Sequence, residues 1–195
     1  MAKAYIFLAE GFEITEAMAP ADILRRGGVD LNIVSIGDSL NVRSAQGISV
    51  TADTIIDGTI LYNISTSDIM VFPGGMPGTV HLAECRPLIK KMQDHFSMGG
   101  TVAAICAAPG LVLSLLPLDR LSAQKEQIRM TCYEGFEHEL IAKGVSVVDP
   151  RTGVVEDGNI ISSSGAGHAI DFGLRILARI KGPEIAGEVR KSIML

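Results

Sequence analysis

A short β-branched run, residues 101–105 (TVAAI), ends in Cys106, and the small residues Ala107, Ala108, Pro109 and Gly110 follow at once. That order predicts a buried strand turning sharply into a helix with the thiol at the corner, the geometry of a nucleophile elbow with Cys in place of Ser. Ala107 and Ala108 have little side chain to clash in a tight turn, and Pro109 is tolerated in a first helical turn, where its missing N–H costs nothing. A cysteine there faces the positive end of the helix dipole, which favours thiolate over thiol and so raises nucleophilicity. The competing reading is a small buried hydrophobe, a common fate of a free cysteine.

Two further groups could act with this thiol. Gly74 and Gly75, in the loop 73–78 (PGGMPG), let the backbone come close to a ligand, and their N–H groups with that of Ala107 could form an oxyanion hole. An ordinary turn is the competing reading. Glu13 and Glu16 lie three residues apart, on one face of a helix. Otherwise such a pair in a first turn is simply solvated. The glycine loop lacks G-x-G-x-x-G spacing and no Walker A run is present, so no nucleotide cofactor is expected.

An α/β frame is needed to bring these loops together. Residues 4–9 (AYIFLA) read as a buried strand, 13–26 as a helix stopped by Gly27-Gly28 and bent or started by Pro20, and 31–36 as a second strand. This β-α-β start implies a parallel sheet. The pieces 48–51 and 54–56 read as small edge strands or a hairpin, with a turn at Asp57-Gly58. Residues 68–72 read as a core strand and 86–98 as the helix leading into the Cys106 strand. Helices are expected over 111–116, 136–143, 167–180 and 184–191, strands over 127–131 and 145–148, and a hairpin with an Asp-Gly turn over 154–161. The sum is a three-layer α/β sandwich with a mainly parallel sheet, in one domain over 1–195, and its site is expected beyond the carboxyl ends of the strands.

Composition fits that frame. Apolar residues make up 47%, Trp is absent, and 21 glycines supply tight turns. The net charge of −5 comes without blocks of one sign, which argues against a nucleic-acid or anionic-membrane partner. Residues 96–118 carry no charge and are long enough to span a bilayer, but Gly99-Gly100, Pro109 and Pro117 interrupt them, so strand plus helix is preferred. The three cysteines, Cys85, Cys106 and Cys132, have no metal-type spacing, and no signal peptide is evident, which suits a reducing cytoplasm.

Taken together, residues 9–17 (AEGFEITEA), 71–75 (VFPGG), 103–109 (AAICAAP) and 164–172 (SGAGHAIDF) resemble the ThiJ/PfpI superfamily, and within it the branch of the parkinsonism-linked protein deglycase (DJ-one). The match runs nearly end to end, with four motifs in order. It implies a flavodoxin-like sandwich, usually a homodimer, without a cofactor. Cys106 falls on the family's oxidation-sensitive nucleophilic cysteine. Glu16 falls on the glutamate held protonated against the sulfur, where it donates a hydrogen bond to the thiolate; Gly74 and Gly75 match the backbone groups facing it. Glyoxalase activity, deglycation of methylglyoxal adducts, chaperone action and peroxide sensing are assigned within the family, and some relatives are proteases or amidotransferases.

Departures from the family pattern prune that range. Ala107 stands where protease-type relatives carry His, so a Cys-His dyad is not available there and proteolysis is not expected. Tyr133 fills a position that is often His in the deglycase branch, and a phenol with a reference pKa of about 10 is a poor general base near neutrality. Cys132 beside it is either a packed bystander or a thiol that resolves a sulfenic acid at Cys106. His168 replaces a small hydroxyl residue in the Gly-x-Gly-x-Ala motif, as a structural residue at a helix start or as a substitute base. Cys85 has no partner in view. The expected function is a Cys-dependent enzyme on small aldehydes or glycated adducts; the alternative is a cysteine redox sensor or chaperone-like binding protein.

Overall fold

The computed structural model describes residues 2–118 and 127–195, and its frame is a seven-stranded sheet. From one edge the order is β10 (Val154–Asp157), β11 (Ile160–Ser163), β7 (Thr101–Ile105), β6 (Ile69–Phe72), β1 (Lys3–Leu8), β2 (Asp30–Ser35) and β5 (Thr54–Ile55). Among the described residues, β10 with β11 is the one antiparallel pair of this sheet. Every residue of β6 and β7 is buried, as expected of strands covered on both faces. Alternation along β1 sorts its side chains into two apolar layers: Ala4, Ile6 and Leu8 enter one, Tyr5 and Phe7 the other.

The first layer is closed by α1 (Ile14–Arg26), α7 (Ala169–Lys181) and α8 (Pro183–Ser192). The second is closed by α3 (Gly78–Glu84), α4 (Arg86–Ser97) and α5 (Ala108–Leu111). This is the three-layer flavodoxin-like sandwich. Pro20 lies inside α1 rather than at its start, and its Cα faces Gly173 of α7. A Cβ on Gly173 would come 2.8 Å from Pro20 Cα and 3.1 Å from Ile23 Cβ, so the missing side chain is what lets the two helices close.

Several boundaries differ from the sequence reading. Residues 58–63 form α2 (Gly58–Asn63), not a bare turn, because the Asp57 carboxylate accepts the Ile60 N–H at 2.7 Å and caps the helix. Helix α3 had no expected counterpart. The helix expected over 111–116 starts three residues earlier, as α5, and gives way to a 3-10 turn at Leu113–Leu115. The strand expected over 127–131 shrinks to β8 (Arg129–Met130), which pairs in parallel with β9 (Ser146–Val147) outside the main sheet, and α6 (His138–Ala142) lies between them. The edge pieces divide: β3 (Asn41–Arg43) and β4 (Ser49–Thr51) form a separate hairpin, and β5 joins the sheet. Residues 96–118 fold as the end of α4, β7, α5 and the 3-10 turn, and among the described residues no helix is long and apolar enough to cross a membrane.

Candidate active site around Cys106

Strands β11, β7, β6 and β1 are neighbours and run parallel, so the loops that leave their carboxyl ends meet at one rim of the sheet. Cys106 leaves β7 there with φ 65, a left-handed conformation rarely adopted by a residue with a side chain. Two backbone bonds hold it: Cys106 N–H donates to Ser163 O at 2.9 Å, and Cys106 O accepts from Tyr133 N–H at 2.8 Å. The expected elbow is present. The helix behind it is only four residues long, so its dipole contributes less than a full helix would. The polarity around the sulfur comes instead from individual N–H groups.

The loop after β6 and the elbow itself supply those groups. The N–H groups of Gly75 and Ala107 face the Cys106 sulfur and favour its anion. Gly74 has a different task from the one expected: its N–H donates to Glu16 Oε2 at 2.9 Å. It cradles the carboxyl, and two donors rather than three are left for the sulfur. A Cβ on Gly74 would lie 2.6 Å from Cys106 Cβ and 3.1 Å from Sγ, so the absence of a side chain here sets how closely thiol and carboxyl approach.

Glu16 is 2% exposed, which rules out the solvated reading of that residue. Burial pushes its carboxyl from 4.5 up to about 7, and the charge of Glu13 adds to the push. Hydrogen bonds from the Cys106 thiol and from the N–H groups of Gly74 and Ala166 act in the opposite sense. Ala166, in the loop after β11, is a contributor that the sequence reading missed; the glycines on either side of it were the available signal.

Burial, followed by the charge of Glu16 and the hydrogen bond to it, pushes the Cys106 thiol up to about 12. The last two causes hold only while Glu16 is the anion. Once the carboxyl takes the proton it donates to the sulfur, and its repulsion disappears. Thiol with carboxylate and thiolate with carboxylic acid are therefore two placements of one shared proton, and the site titrates as a pair.

The remaining candidates are placed as follows. Tyr133 adjoins the elbow through its backbone, is 53% exposed, stacks edge-on with Phe136, and holds its ring about 3.5 Å from where a Gly165 side chain would begin. Cys132 is fully buried in the second apolar layer, where burial pushes its thiol up to about 12, whereas Cys106 packs against the first layer. His168 precedes α7 with its ring against Gly153. Cys85 joins α3 to α4 and packs against the second layer. Among the described residues no cluster of three or more His, Cys, Asp or Glu could hold a metal ion.

Comparison with known proteins gives a consistent picture. The DJ-1/PfpI family model matches residues 2–179. Protein DJ-1 homolog B of Arabidopsis thaliana is 33% identical over 99% of this chain, which spans 41% of that longer protein. A Caenorhabditis elegans protein named glutathione-independent glyoxalase DJR-1.2 is 30% identical over 95% of this chain and 92% of its own length. The solved structure of oxidized Toxoplasma gondii DJ-1 superposes with a TM-score of 0.86 at 27% identity, covering 100% of this chain and 98% of that one.

Proposed function

This chain belongs to the DJ-1/PfpI family, and from that premise we propose that it is a cysteine-dependent, cofactor-independent enzyme on small reactive carbonyls, of the glyoxalase or deglycase type, serving stress protection. The observation that carries the reading is a buried carboxyl, raised to about 7, sharing a proton with an elbow cysteine that two backbone N–H groups face. We further propose that it works in the cytoplasm as a homodimer of single ThiJ/PfpI-type domains.

In this scheme Cys106 Sγ, as the thiolate, adds to the aldehyde carbon of methylglyoxal and forms a C–S bond. The N–H groups of Gly75 and Ala107 stabilise the developing oxyanion. The oxyanion then takes the Glu16 proton, which leaves Glu16 as the carboxylate needed for the next step. Glu16 removes the proton from the former aldehyde carbon, the hydroxyl proton on that carbon passes to the neighbouring carbonyl oxygen through an enediol, and Glu16 returns its proton to the neighbouring carbon. A lactoyl thioester of Cys106 results, and water hydrolyses it to lactate and the free thiol. Tyr133 has no proton-transfer task in this sequence of steps.

The test is lactate formation from methylglyoxal without glutathione. Multiple turnovers are expected from the intact protein and none from Cys106→Ser; absence of turnover in both would overturn the enzyme reading.

A second reading, a cysteine redox sensor, is favoured by the same donors, because N–H groups that hold a developing oxyanion also hold the oxygens of a sulfenate or sulfinate. After mild peroxide, mass spectrometry is expected to find oxidation concentrated on Cys106. Equal oxidation of Cys85, Cys106 and Cys132 would count against a sensor.

A further inference from the structure

We infer that Glu13 is a positioning residue for the Glu16–Cys106 pair, acting through a closed ring of three hydrogen bonds that joins the loop after β1 to the loop after β6. Glu13 N–H donates to Gly74 O at 2.9 Å. Gly74 N–H donates to Glu16 Oε2 at 2.9 Å. Glu16 N–H donates to Glu13 Oε2 at 2.7 Å and closes the ring. Glu16 in α1 and Glu13 at its cap thus grip both backbone polar groups of Gly74. The inference rests on the proposed function only in taking the Cys106 thiolate as the reactive form.

Each bond fixes something the site needs. Glu13 is the residue before α1, with extended backbone and a carboxylate that satisfies the Glu16 N–H, which a helix start would otherwise leave unpaired. Without that acceptor the first turn frays, and Glu16 lies in the first turn. The loop after β6 is equally committed, since a Cβ on Gly75 would strike the Glu13 backbone and lie 2.6 Å from Phe12 C. The ring therefore has little room to be replaced by another packing.

Glutamate is an uncommon choice for a cap, for which Ser, Thr, Asp and Asn are preferred. It supplies what the neutral caps lack, a negative charge beside Glu16. The groups acting on the Glu16 carboxyl are the Cys106 thiol from the elbow, the Glu13 carboxylate, and the N–H groups of Gly74 and Ala166. An anion at Glu13 repels charge on Glu16, which tips the shared proton toward the carboxyl and the negative charge toward the sulfur. Glu13 thereby favours thiolate without touching it.

The test is the rate of Cys106 alkylation by iodoacetamide across pH, read by mass spectrometry, which needs no substrate and no turnover. It is run on wild type, Glu13→Gln and Glu13→Ala, and on each again with Glu16→Gln. Glu13→Gln keeps an acceptor but not the charge, and is expected to slow alkylation on the neutral plateau by about threefold; Glu13→Ala loses both and is expected to slow it by about tenfold. With Glu16→Gln in place, neither change at Glu13 is expected to matter. A Glu13→Ala profile that coincides with wild type overturns the inference. So does an undiminished loss in the Glu16→Gln background, because Glu13 would then act on the fold at large. If lactate formation fails while these alkylation shifts appear, the enzyme reading falls and the positioning role stands.

Discussion

Glu16→Gln is expected to lower lactate formation by about a hundredfold to ten-thousandfold, the usual contribution of a positioned acid–base group, while making the folded protein more stable at alkaline pH. The two effects have one cause. Glutamine accepts the Gly74 N–H as the carboxylate does, but it neither ionises nor moves a proton. The sign of the stability effect follows from the raised carboxyl, which lies at about 7 when folded against 4.5 unperturbed. A group that binds its proton more tightly when folded gives full support below the lower value, and that support is lost as pH rises through the higher one. Above neutrality a buried anion opposes folding, by on the order of 1–3 kcal/mol, and Glu16→Gln removes that opposition. Urea denaturation at about pH 4 and about pH 8 should therefore show the variant gaining on wild type essentially at the higher pH alone. An equal difference at both would sink the explanation.

The second large effect is expected at Gly74→Ala. The new methyl carbon would sit 2.6 Å from Cys106 Cβ and 3.1 Å from Sγ, and it would press on Glu16 Oε2 as well. None of these atoms is the free end of a flexible chain, because Cys106 is held at the elbow by two backbone bonds and Glu16 by the Gly74 N–H itself. Thiol and carboxyl must separate by a large fraction of an ångström. A misplacement of that size costs about a hundredfold in kcat, and overpacking costs about 1–3 kcal/mol of stability. Gly187→Ala in α8, where an added Cβ meets open space, is the control expected to leave kcat unchanged and to raise stability by up to about 1 kcal/mol. Wild-type kcat in Gly74→Ala would show that the glycine is not what sets the approach of the two groups.

Much of this site was legible as residues, and less of it as assignments. The β-branched run before Cys106 and the small residues after it encode the elbow locally, and the structure holds that corner at φ 65. Glu16 stood out by spacing alone, but nothing local distinguishes a solvated carboxylate from a buried one. Its burial depends on which loops the strand order places beside β1. For the same reason Gly74 and Gly75 read as equivalent donors in sequence, while in the fold one peptide unit turns to the carboxyl and the next to the sulfur. Short helices were lost to their own punctuation. Asp57-Gly58 signals a turn, and it is also a cap followed by a permissive first residue; six residues give too little periodicity to choose between them. The dipole expected behind Cys106 fell short because α5 stops after four residues, which the mostly apolar stretch 111–116 does not reveal.

The left-handed backbone at Cys106 also bears on how this sequence can drift. An L-residue at φ 65 is strained whatever its side chain, and glycine alone would adopt that corner without penalty. A lineage in which the sulfur had ceased to matter would gain stability by mutating the codon to glycine, and neutral change would push that way. A cysteine retained at this corner is thus held against the thermodynamic gradient of its own fold. Among descendants of this chain, glycine at position 106 would mark the loss of thiol chemistry, even where every other residue of the site survives.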